Sequence, residues 1–153
     1  MKRWLHSLLN VPHIEALDHI LGYTIVNDLS ERAWQLERGG QWAKGKSFPN
    51  FCPTGPWIVT GDELDHARSL QMYLDVNGQR RQTGNSRTMI FDVATIVSYL
   101  SEFTRLEPGD LICTGTPPGV GAGMTPPVWL KIGDKVTLGI EGLGEQSQIV
   151  QQL

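Results

Sequence analysis

The chain has 153 residues, of which 40% are hydrophobic and 19% are charged, and its formal net charge is −3 at pH 7. A chain of this length can enclose a core of its own, and this composition excludes an intrinsically disordered protein. The slightly acidic balance excludes the strongly basic surface that nucleic-acid binding requires.

The first 60 residues predict two helices and two short strands. Residues 12–20 begin with a proline and carry apolar residues on one face, which is typical of a helix. Residues 22–27 are β-branched and aromatic and predict a strand. Residues 28–38 have helical composition and stop at two glycines, a common helix end. Prolines make residues 41–56 irregular, and a short strand is predicted at residues 57–60.

The centre of the chain contains the clearest hairpin pattern. Residues 70–76 and 79–82 flank Asn77-Gly78, a dipeptide that supplies both positive φ angles of a type I′ turn. Asp92 then precedes a stretch whose apolar residues recur at helical spacing. We predict that this aspartate caps a helix.

The last third of the chain predicts strands separated by turns. Residues 107–110, with the sequence Glu-Pro-Gly-Asp, are typical of a type II turn and lead into a predicted buried strand at residues 111–114. Alternating apolar residues predict a strand at residues 136–140, and a final strand is expected near residues 148–151. The complete pattern, with its 17 glycines and 9 prolines, predicts a single α+β domain with a strand-rich core and two or three helices.

The cysteines, the histidines and the lengths of the apolar runs indicate the cellular compartment and the kinds of partner. Cys52 and Cys113 are the only cysteines, which excludes a disulfide framework and a four-thiolate zinc site and favours a reducing, cytoplasmic compartment. No apolar run approaches the roughly 20 residues that span a bilayer. The four histidines show no metal-ligand spacing. We therefore expect a cytoplasmic protein with neither membrane nor nucleic-acid partners.

Asp28, Arg32 and Gln35 form the first candidate site. If residues 28–38 are helical, the spacing i, i+4 and i+7 places all three side chains on one face. A carboxylate, a guanidinium and an amide on one face suit a metal-bound carboxylate substrate. The alternative is a helix N-cap at Asp28 with an ordinary Asp–Arg pair, and the spacing by itself favours that alternative.

Residues 40–47 match the phosphate-loop pattern G-x-x-x-x-G-K-[ST], with Lys46 as its lysine. That pattern binds phosphates only between a strand and a helix, and here prolines follow at positions 49 and 53. We therefore reject a nucleotide site. A lysine in a proline-rich loop can instead serve as an electrostatic clamp or, if desolvated, as a base.

Residues 113–121, Cys-Thr-Gly-Thr-Pro-Pro-Gly-Val-Gly, follow the predicted buried strand. A turn with exposed amides and hydroxyls can bind a carboxylate through its backbone N–H groups. A simple hairpin-like loop is an equally good interpretation of the pattern.

Taken together, these motifs resemble the fumarylacetoacetate hydrolase superfamily. The resemblance covers about residues 10–153 in the family's order, while residues 1–9 do not look like family sequence. It is closest to the branch of fumarylpyruvate hydrolases, acylpyruvases, oxaloacetate decarboxylases and hydroxyheptadienedioate isomerases. The motifs that carry it are Gly22–Arg32, Gly45–Phe48, Cys52–Trp57, Asn77-Gly78, Gln82–Asn85, Met89–Asp92, Leu106–Asp110, Thr114–Gly121 and Pro127–Gly142.

The resemblance implies a mixed β-roll with flanking helices, a homodimer, and an Mg²⁺- or Mn²⁺-dependent enzyme that acts on β-diketo or 2-oxo acids, as in aromatic catabolism. It implies that Asp28 is a metal ligand and that Lys46 and Arg32 are catalytic. It further implies that substrate is bound by Arg32, Gln35, Lys46, Gly115 and Thr116.

The sequence also departs from the family pattern. The family holds its metal with a Glu-x-Glu pair and a later Asp, and no Glu-x-Glu occurs in these 153 residues. Ala33, Pro49 and Arg87-Thr88 replace residues that are common in the family. Two hypotheses follow. The chain is either an N-terminally truncated catalytic domain that works with a short or separately supplied N-terminal half, or a catalytically silent domain that keeps the fold and the dimer interface.

Overall fold

The computed structural model describes residues 6–152, apart from the side chain of His66. Within this range, one α-helix and six strands are joined by short 3₁₀ segments and irregular loops. The strands and the helix, in chain order, are β1 (Gly22–Tyr23), β2 (Val59–Thr60), β3 (Gln71–Val76), β4 (Gln79–Asn85), α1 (Val93–Ser101), β5 (Lys135–Ile140) and β6 (Gly144–Ile149).

A four-stranded sheet with the order β4-β3-β5-β6 forms the larger layer. The predicted hairpin is confirmed: Asn77 and Gly78 have φ angles of 51° and 75° and join β3 to β4. The predicted alternating strand is β5, and β6 begins earlier than the sequence suggested, at Gly144. All pairings between the named strands of residues 6–152 are antiparallel, including the small β1–β2 sheet.

Helix α1 begins where the sequence predicts. The Asp92 side chain accepts a hydrogen bond of 2.8 Å from the backbone N–H of Thr95, which satisfies one of the free amides of the first turn. The buried face of α1 carries Ala94 and Val97 into one apolar cluster, which also contains Ala16 of the 3₁₀ helix His13–His19. Residues 12–20 are therefore helical as predicted, but as a tighter 3₁₀ helix.

A second apolar cluster lies under the larger sheet. Val136 and Leu138 of β5 are buried against Ile25, Leu70 and Leu143. Burial of alternate residues of β5 explains why its apolar pattern has a period of two. This cluster fixes Ile25, and with it the start of the segment that leads to Asp28.

Three predicted elements differ from the structure, and the first is the strand predicted at residues 22–27, of which only Gly22–Tyr23 form β1. Residues 28–38 do not form a regular helix; only Ala33–Glu37 form a π-helical turn, and residues 28–31 are irregular. Residues 111–114 are not a strand, and Leu111 and Cys113 are exposed rather than buried. The α+β class is confirmed, with α1, the 3₁₀ helix at residues 13–19 and the π-helical turn as flanking helical segments. None of the helices in the described range is long and apolar enough to cross a membrane.

Candidate functional site

An ion pair between Asp28 and Lys46 is the centre of the candidate site. The Lys46 ammonium donates a hydrogen bond of 2.7 Å to Asp28 Oδ2, and the two side chains are 30% and 49% exposed. Asp28 follows a segment anchored to a neighbouring loop, because the Asn27 N–H donates to the Pro53 carbonyl at 3.0 Å. The pair is therefore accessible to small ligands while its backbone is held.

Arg32 and Gln35 form a second polar pair. Arg32 Nη1 donates to Gln35 Oε1 at 2.6 Å, and the Gln35 side chain is completely buried. Its amide nitrogen Nε2 has no hydrogen-bond partner within residues 6–152. A buried N–H without a partner costs on the order of 1–3 kcal/mol, so this donor is available to an acceptor from outside the described chain.

Gly45 joins the two pairs into one site. Its carbonyl accepts a hydrogen bond of 2.8 Å from the Glu31 N–H, so the loop that carries Lys46 lies directly against the π-helical turn. A Cβ atom on Gly45 would lie 2.6 Å from Gln35 Cβ and 2.6 Å from the Glu31 carbonyl oxygen. Only glycine permits this approach, which packs the residue before Lys46 against the turn that carries Gln35.

The structure corrects the way in which Asp28 reaches this site. Asp28 is neither on a helix face with Arg32 and Gln35 nor the cap of a helix, because it lies before the π-helical turn. A free backbone N–H of the first turn is capped by Glu31 instead. The Glu31 carboxylate accepts a hydrogen bond of 2.7 Å from the Trp34 N–H. Asp28 is held in the site by its ion pair with Lys46 and by the backbone hydrogen bond between Asn27 and Pro53.

Thr116 and Gly115 lie on a separate loop. The Gln82 amide donates to Thr116 Oγ1 at 2.8 Å and to the Pro117 carbonyl at 2.7 Å, so the Thr116 hydroxyl proton remains available to an anion. Gly115 has a φ angle of 101°, a conformation that favours glycine. Gln82 is the positioning residue that sequence reasoning missed, although an amide at a buried strand position was a usable indication.

Cys113 connects this loop to the ion pair. Desolvation raises the pKa of the Cys113 thiol, and the neighbouring Cys52 and Asp28 raise it further, while Lys46 opposes them. Electrostatic interactions of this kind require short separations. The charges of Asp28 and Lys46 therefore act on the Cys113 thiol at the start of the 113–121 loop.

Two glutamine side chains of β6, Gln146 and Gln148, support the backbone that leads to Asp28. The sequence analysis did not identify them. Gln148 accepts a hydrogen bond of 3.1 Å from the buried Asn27 amide and donates to Gln146 at 2.6 Å. Gln146 in turn donates to the carbonyls of Ile25 and Gly55, both at 3.2 Å. These bonds satisfy irregular backbone before and beside Asp28 and so fix its position.

The donor set does not make a complete metal site. Asp28 contributes one carboxylate, and no group of three or more His, Cys, Asp or Glu residues in the described range is arranged to hold a metal ion. Mg²⁺ and Mn²⁺ require about six ligands, mainly oxygen. One carboxylate already paired with Lys46 does not fit either ion without further ligands.

The phosphate-loop pattern at residues 40–47 lacks its structural context. A 3₁₀ turn, Trp42–Gly45, lies inside the pattern, and no helix occurs between Lys46 and Ile58. The helix N-terminus that would bind phosphate is therefore missing from this part of the chain.

Comparison with known proteins places this geometry in a family context. The sequence profile described as "Fumarylacetoacetate (FAA) hydrolase C-terminal" matches residues 6–151. A relative from Burkholderia multivorans is 57% identical over 143 residues, which are 93% of this chain and 51% of that protein. The chain spans about half the length of the curated relatives it matches.

Solved structures are similar over nearly the whole chain. The fumarylacetoacetate hydrolase from Exiguobacterium antarcticum is 42% identical with a TM-score of 0.92, over 97% of this chain and 53% of that one. A 2-hydroxyhepta-2,4-diene-1,7-dioate isomerase from Mycobacterium marinum is 43% identical with a TM-score of 0.83, over 95% and 53%. The fumarylpyruvate hydrolase from Pseudomonas aeruginosa, solved with Mn²⁺ and pyruvate, is 35% identical with a TM-score of 0.85, over 96% and 61%.

Proposed function

The chain belongs to the fumarylacetoacetate hydrolase family, and from this premise we propose that it supplies the substrate-binding face of an enzyme acting on a 2-oxo or β-diketo acid. The reaction class is C–C bond hydrolysis, with isomerisation or decarboxylation as its variants. Acylpyruvates, fumarylpyruvate and oxaloacetate are the substrates we expect. The similar structures, which include a fumarylpyruvate hydrolase and a hydroxyheptadienedioate isomerase, support this class.

One observation carries the proposal: the amide N–H of the completely buried Gln35 has no partner within residues 6–152, and the Arg32 guanidinium donates to the oxygen of the same side chain. A carboxylate or a 2-oxo group offers the acceptor that this N–H lacks. Arg32 can bind a carboxylate through two parallel hydrogen bonds. Lys46 provides a compact positive charge that is only 30% exposed. The site therefore selects a small acid with adjacent oxygen atoms.

The proposed roles of the remaining residues follow from their placement. The Thr116 hydroxyl and the backbone at Gly115 bind the distal end of the substrate, with Gln82 holding Thr116 in place. Lys46 stabilises negative charge that develops on the substrate oxygen when the C–C bond breaks. Since Lys46 pairs with Asp28 at 2.7 Å, substrate binding must share or displace that ion pair.

For the metal, we propose that Asp28 is one ligand of an Mg²⁺ or Mn²⁺ site whose other ligands come from outside residues 6–152. The Mn²⁺ in the fumarylpyruvate hydrolase supports a divalent ion in such proteins. Because Asp28 is a single carboxylate, we expect this chain alone to bind Mn²⁺ only in the millimolar range, a free energy of about −4 kcal/mol. Calorimetric titration measures it, and micromolar binding abolished by Asp28→Ala would show that the chain completes its own site.

We also propose that the chain forms a homodimer. Several large apolar side chains are exposed, and apolar side chains that form a contiguous surface patch mark protein–protein interfaces. Light scattering coupled to size-exclusion chromatography gives the mass directly. The most exposed of these side chains include Ile90 at 92%, Ile132 at 67%, Phe103 at 64% and Phe91 at 63%.

The substrate-binding role is tested with pyruvate and oxalate as probes. We expect Lys46→Met to weaken binding of both acids at least about tenfold, a change of about 1.4 kcal/mol. Lys44→Met is the matched control, because Lys44 is an exposed lysine on the same loop whose ammonium donates to the Arg38 carbonyl at 2.8 Å. Equal affinities for the two variants would refute the assignment of Lys46.

A catalytically silent domain is the second candidate function, and the single carboxylate at Asp28 favours it. The two candidates are separated by fusing the N-terminal half of the Burkholderia multivorans relative to this chain. Metal-dependent turnover of oxaloacetate or acylpyruvates, lost again on Asp28→Ala, supports the enzyme. A folded chimera that binds Mg²⁺ but turns over none of these substrates supports the silent domain.

A further inference from the structure

A cavity of about 290 Å³ opens between the start of helix α1 and the segment that precedes β3. None of the residues that line it belongs to the candidate site described above. We propose that this cavity is a second binding site, which takes a small amphiphilic monocarboxylate. Its carboxylate lies at Arg68 and Arg87, and its alkyl chain lies on the apolar base of the cavity. The proposal does not rest on the function proposed above.

Hydrogen bonds of Ser86 bring the two sides of the cavity together. The Ser86 hydroxyl donates to the Ala67 carbonyl at 2.6 Å and accepts a hydrogen bond of 2.8 Å from the Leu70 N–H. The Ser86 N–H donates in turn to the Leu70 carbonyl at 3.0 Å. Arg68 directly follows Ala67, Arg87 directly follows Ser86, and both arginines line the cavity. The fold therefore holds two cationic residues from separate segments at one cavity.

Neither arginine has a strong partner of its own. Arg68 Nη1 lies 4.0 Å from Asp65 Oδ1, and because these side chains are 70% and 79% exposed the pair contributes little. The backbone N–H of Arg87 donates to Asn85 Oδ1 at 2.9 Å, but its guanidinium makes no hydrogen bond or ion pair within residues 6–152. A bound carboxylate would reduce the repulsion between two such cations and accept paired hydrogen bonds from a guanidinium.

The balance of charge around the cavity favours a monoanion. Asp92 also lines the cavity, but its Oδ1 accepts a hydrogen bond of 2.8 Å from the Thr95 N–H and lies 3.6 Å from His13 Nε2. Arg68 and Arg87 contribute two positive charges and Asp92 one negative charge, so the charged lining sums to +1. One carboxylate neutralises this charge, whereas a dianion would leave an excess of negative charge.

The base of the cavity is apolar. Ala94 is buried in the apolar cluster of α1, and Leu17 and Val93 pack against that cluster. Ala67 packs against the second apolar cluster, and Met89 is half-buried. The three charged residues of the lining are exposed, whereas its apolar residues are buried or half-buried. The charged groups therefore lie at the mouth and the apolar groups at the base, an arrangement that matches an acid with an alkyl chain.

The volume sets the length of that chain. At about 30 Å³ for each water-sized group, a cavity of about 290 Å³ holds about ten non-hydrogen atoms, the number in octanoate. Burial of each methylene group raises affinity about fourfold. Affinity should therefore rise by about this factor per carbon from butyrate to octanoate and stop rising at decanoate, whose last carbons find no further apolar surface.

The site is tested by calorimetric titration of the full chain with this series of acids. Hexan-1-ol has the alkyl chain of hexanoate without the charge, and we expect it to bind at least about tenfold more weakly, because a hydrogen bond to a charged group contributes about 1.5–3 kcal/mol. Arg68→Gln and Arg87→Gln should each weaken hexanoate binding at least about fivefold. Arg105→Gln is the matched control, since Arg105 is an exposed arginine outside the cavity, and its affinity should equal that of the wild type.

Lys46→Met separates this cavity from the candidate site. We expect Lys46→Met to keep its hexanoate affinity, and we expect the two cavity variants to keep their pyruvate affinity, which also shows that they are folded. Loss of hexanoate binding in Lys46→Met but not in Arg87→Gln would place the acid in the candidate site and overturn the proposal. It is also overturned by equal affinities for hexanoate and hexan-1-ol, by equal affinities of Arg87→Gln and Arg105→Gln, or by the absence of saturable hexanoate binding. None of these results changes the outcome of the pyruvate test of the proposed function.

Discussion

Gly45 offers the sharpest test of how the candidate site is assembled. In Gly45→Ala, the new methyl group would meet Gln35 Cβ and the Glu31 carbonyl oxygen, both at 2.6 Å. One of these atoms is backbone and the other is the first atom of a buried side chain, so neither can move without shifting the π-helical turn. Overpacking of this kind costs about 1–3 kcal/mol, and the fixed surroundings place this case near 3 kcal/mol.

The expected change is large enough for standard denaturation experiments. With a urea m-value of about 2 kcal/mol/M, a loss of about 3 kcal/mol lowers the midpoint by about 1.5 M. The same loss lowers Tm by about 6–12 °C for a chain of this length. Displacement of Gln35 and Arg32 should also weaken pyruvate binding.

Gly123→Ala is the matched control for this experiment. A Cβ atom on Gly123 would lie 3.6 Å from Val120 Cγ2, which is ordinary van der Waals contact. We expect its free energy of unfolding to stay within about 0.5 kcal/mol of the wild type. If Gly45→Ala behaves like Gly123→Ala, the loop carrying Lys46 is not packed against the π-helical turn, and the assembly argued above is wrong.

Three further substitutions test the supporting contacts. Gln82→Leu removes two buried hydrogen bonds and should cost about 2 kcal/mol in urea denaturation, while Gln79→Leu at the exposed end of β4 should change stability little. Gln146→Leu removes the side-chain donor that backbone carbonyls near Asp28 share and should cost about 2 kcal/mol together with a loss of pyruvate affinity. Asp92→Ala should cost about 1 kcal/mol at pH 7. Hydrogen bonds from Thr95 and the nearby His13 lower the Asp92 pKa in the folded protein, so this difference should be complete above about pH 4 and decrease as pH falls toward the folded pKa. A difference that does not decrease as the pH is lowered below about 4 would contradict it.

Regular elements were predictable from the sequence because their causes are local. The Asn77-Gly78 turn and the Asp92 cap each depend on the conformational preferences of one or two residues. The alternation in residues 136–140 records which side of β5 faces the core. Such patterns predict an element wherever tertiary contacts agree with local preference.

The geometry of the candidate site was not predictable from the sequence. The resemblance implied a site with Asp28, Arg32, Gln35 and Lys46, and the structure pairs Asp28 with Lys46 and Arg32 with Gln35. The predicted helix over residues 28–38 was wrong because tertiary contacts override helical composition there: Asn27 is bound to Pro53, and Glu31 to Gly45. The predicted strand at residues 111–114 was wrong although its residues are apolar, since no neighbouring strand pairs with it in the described range.

The helix wrongly predicted over residues 28–38 and the missed glutamines of β6 have one physical cause, which is the way that irregular backbone is stabilised. Before Asp28, backbone polar groups are satisfied partly by backbone hydrogen bonds to residues 53–55 and partly by the side-chain amide of Gln146, more than 100 residues away. An amide at a half-buried strand position has no period or local motif, so sequence patterns do not identify its partner. The position of Asp28 therefore depends on the register of β6 as much as on its own neighbours. A one-residue slip of β6 would turn Gln146 and Gln148 to the opposite face and remove both supports at once.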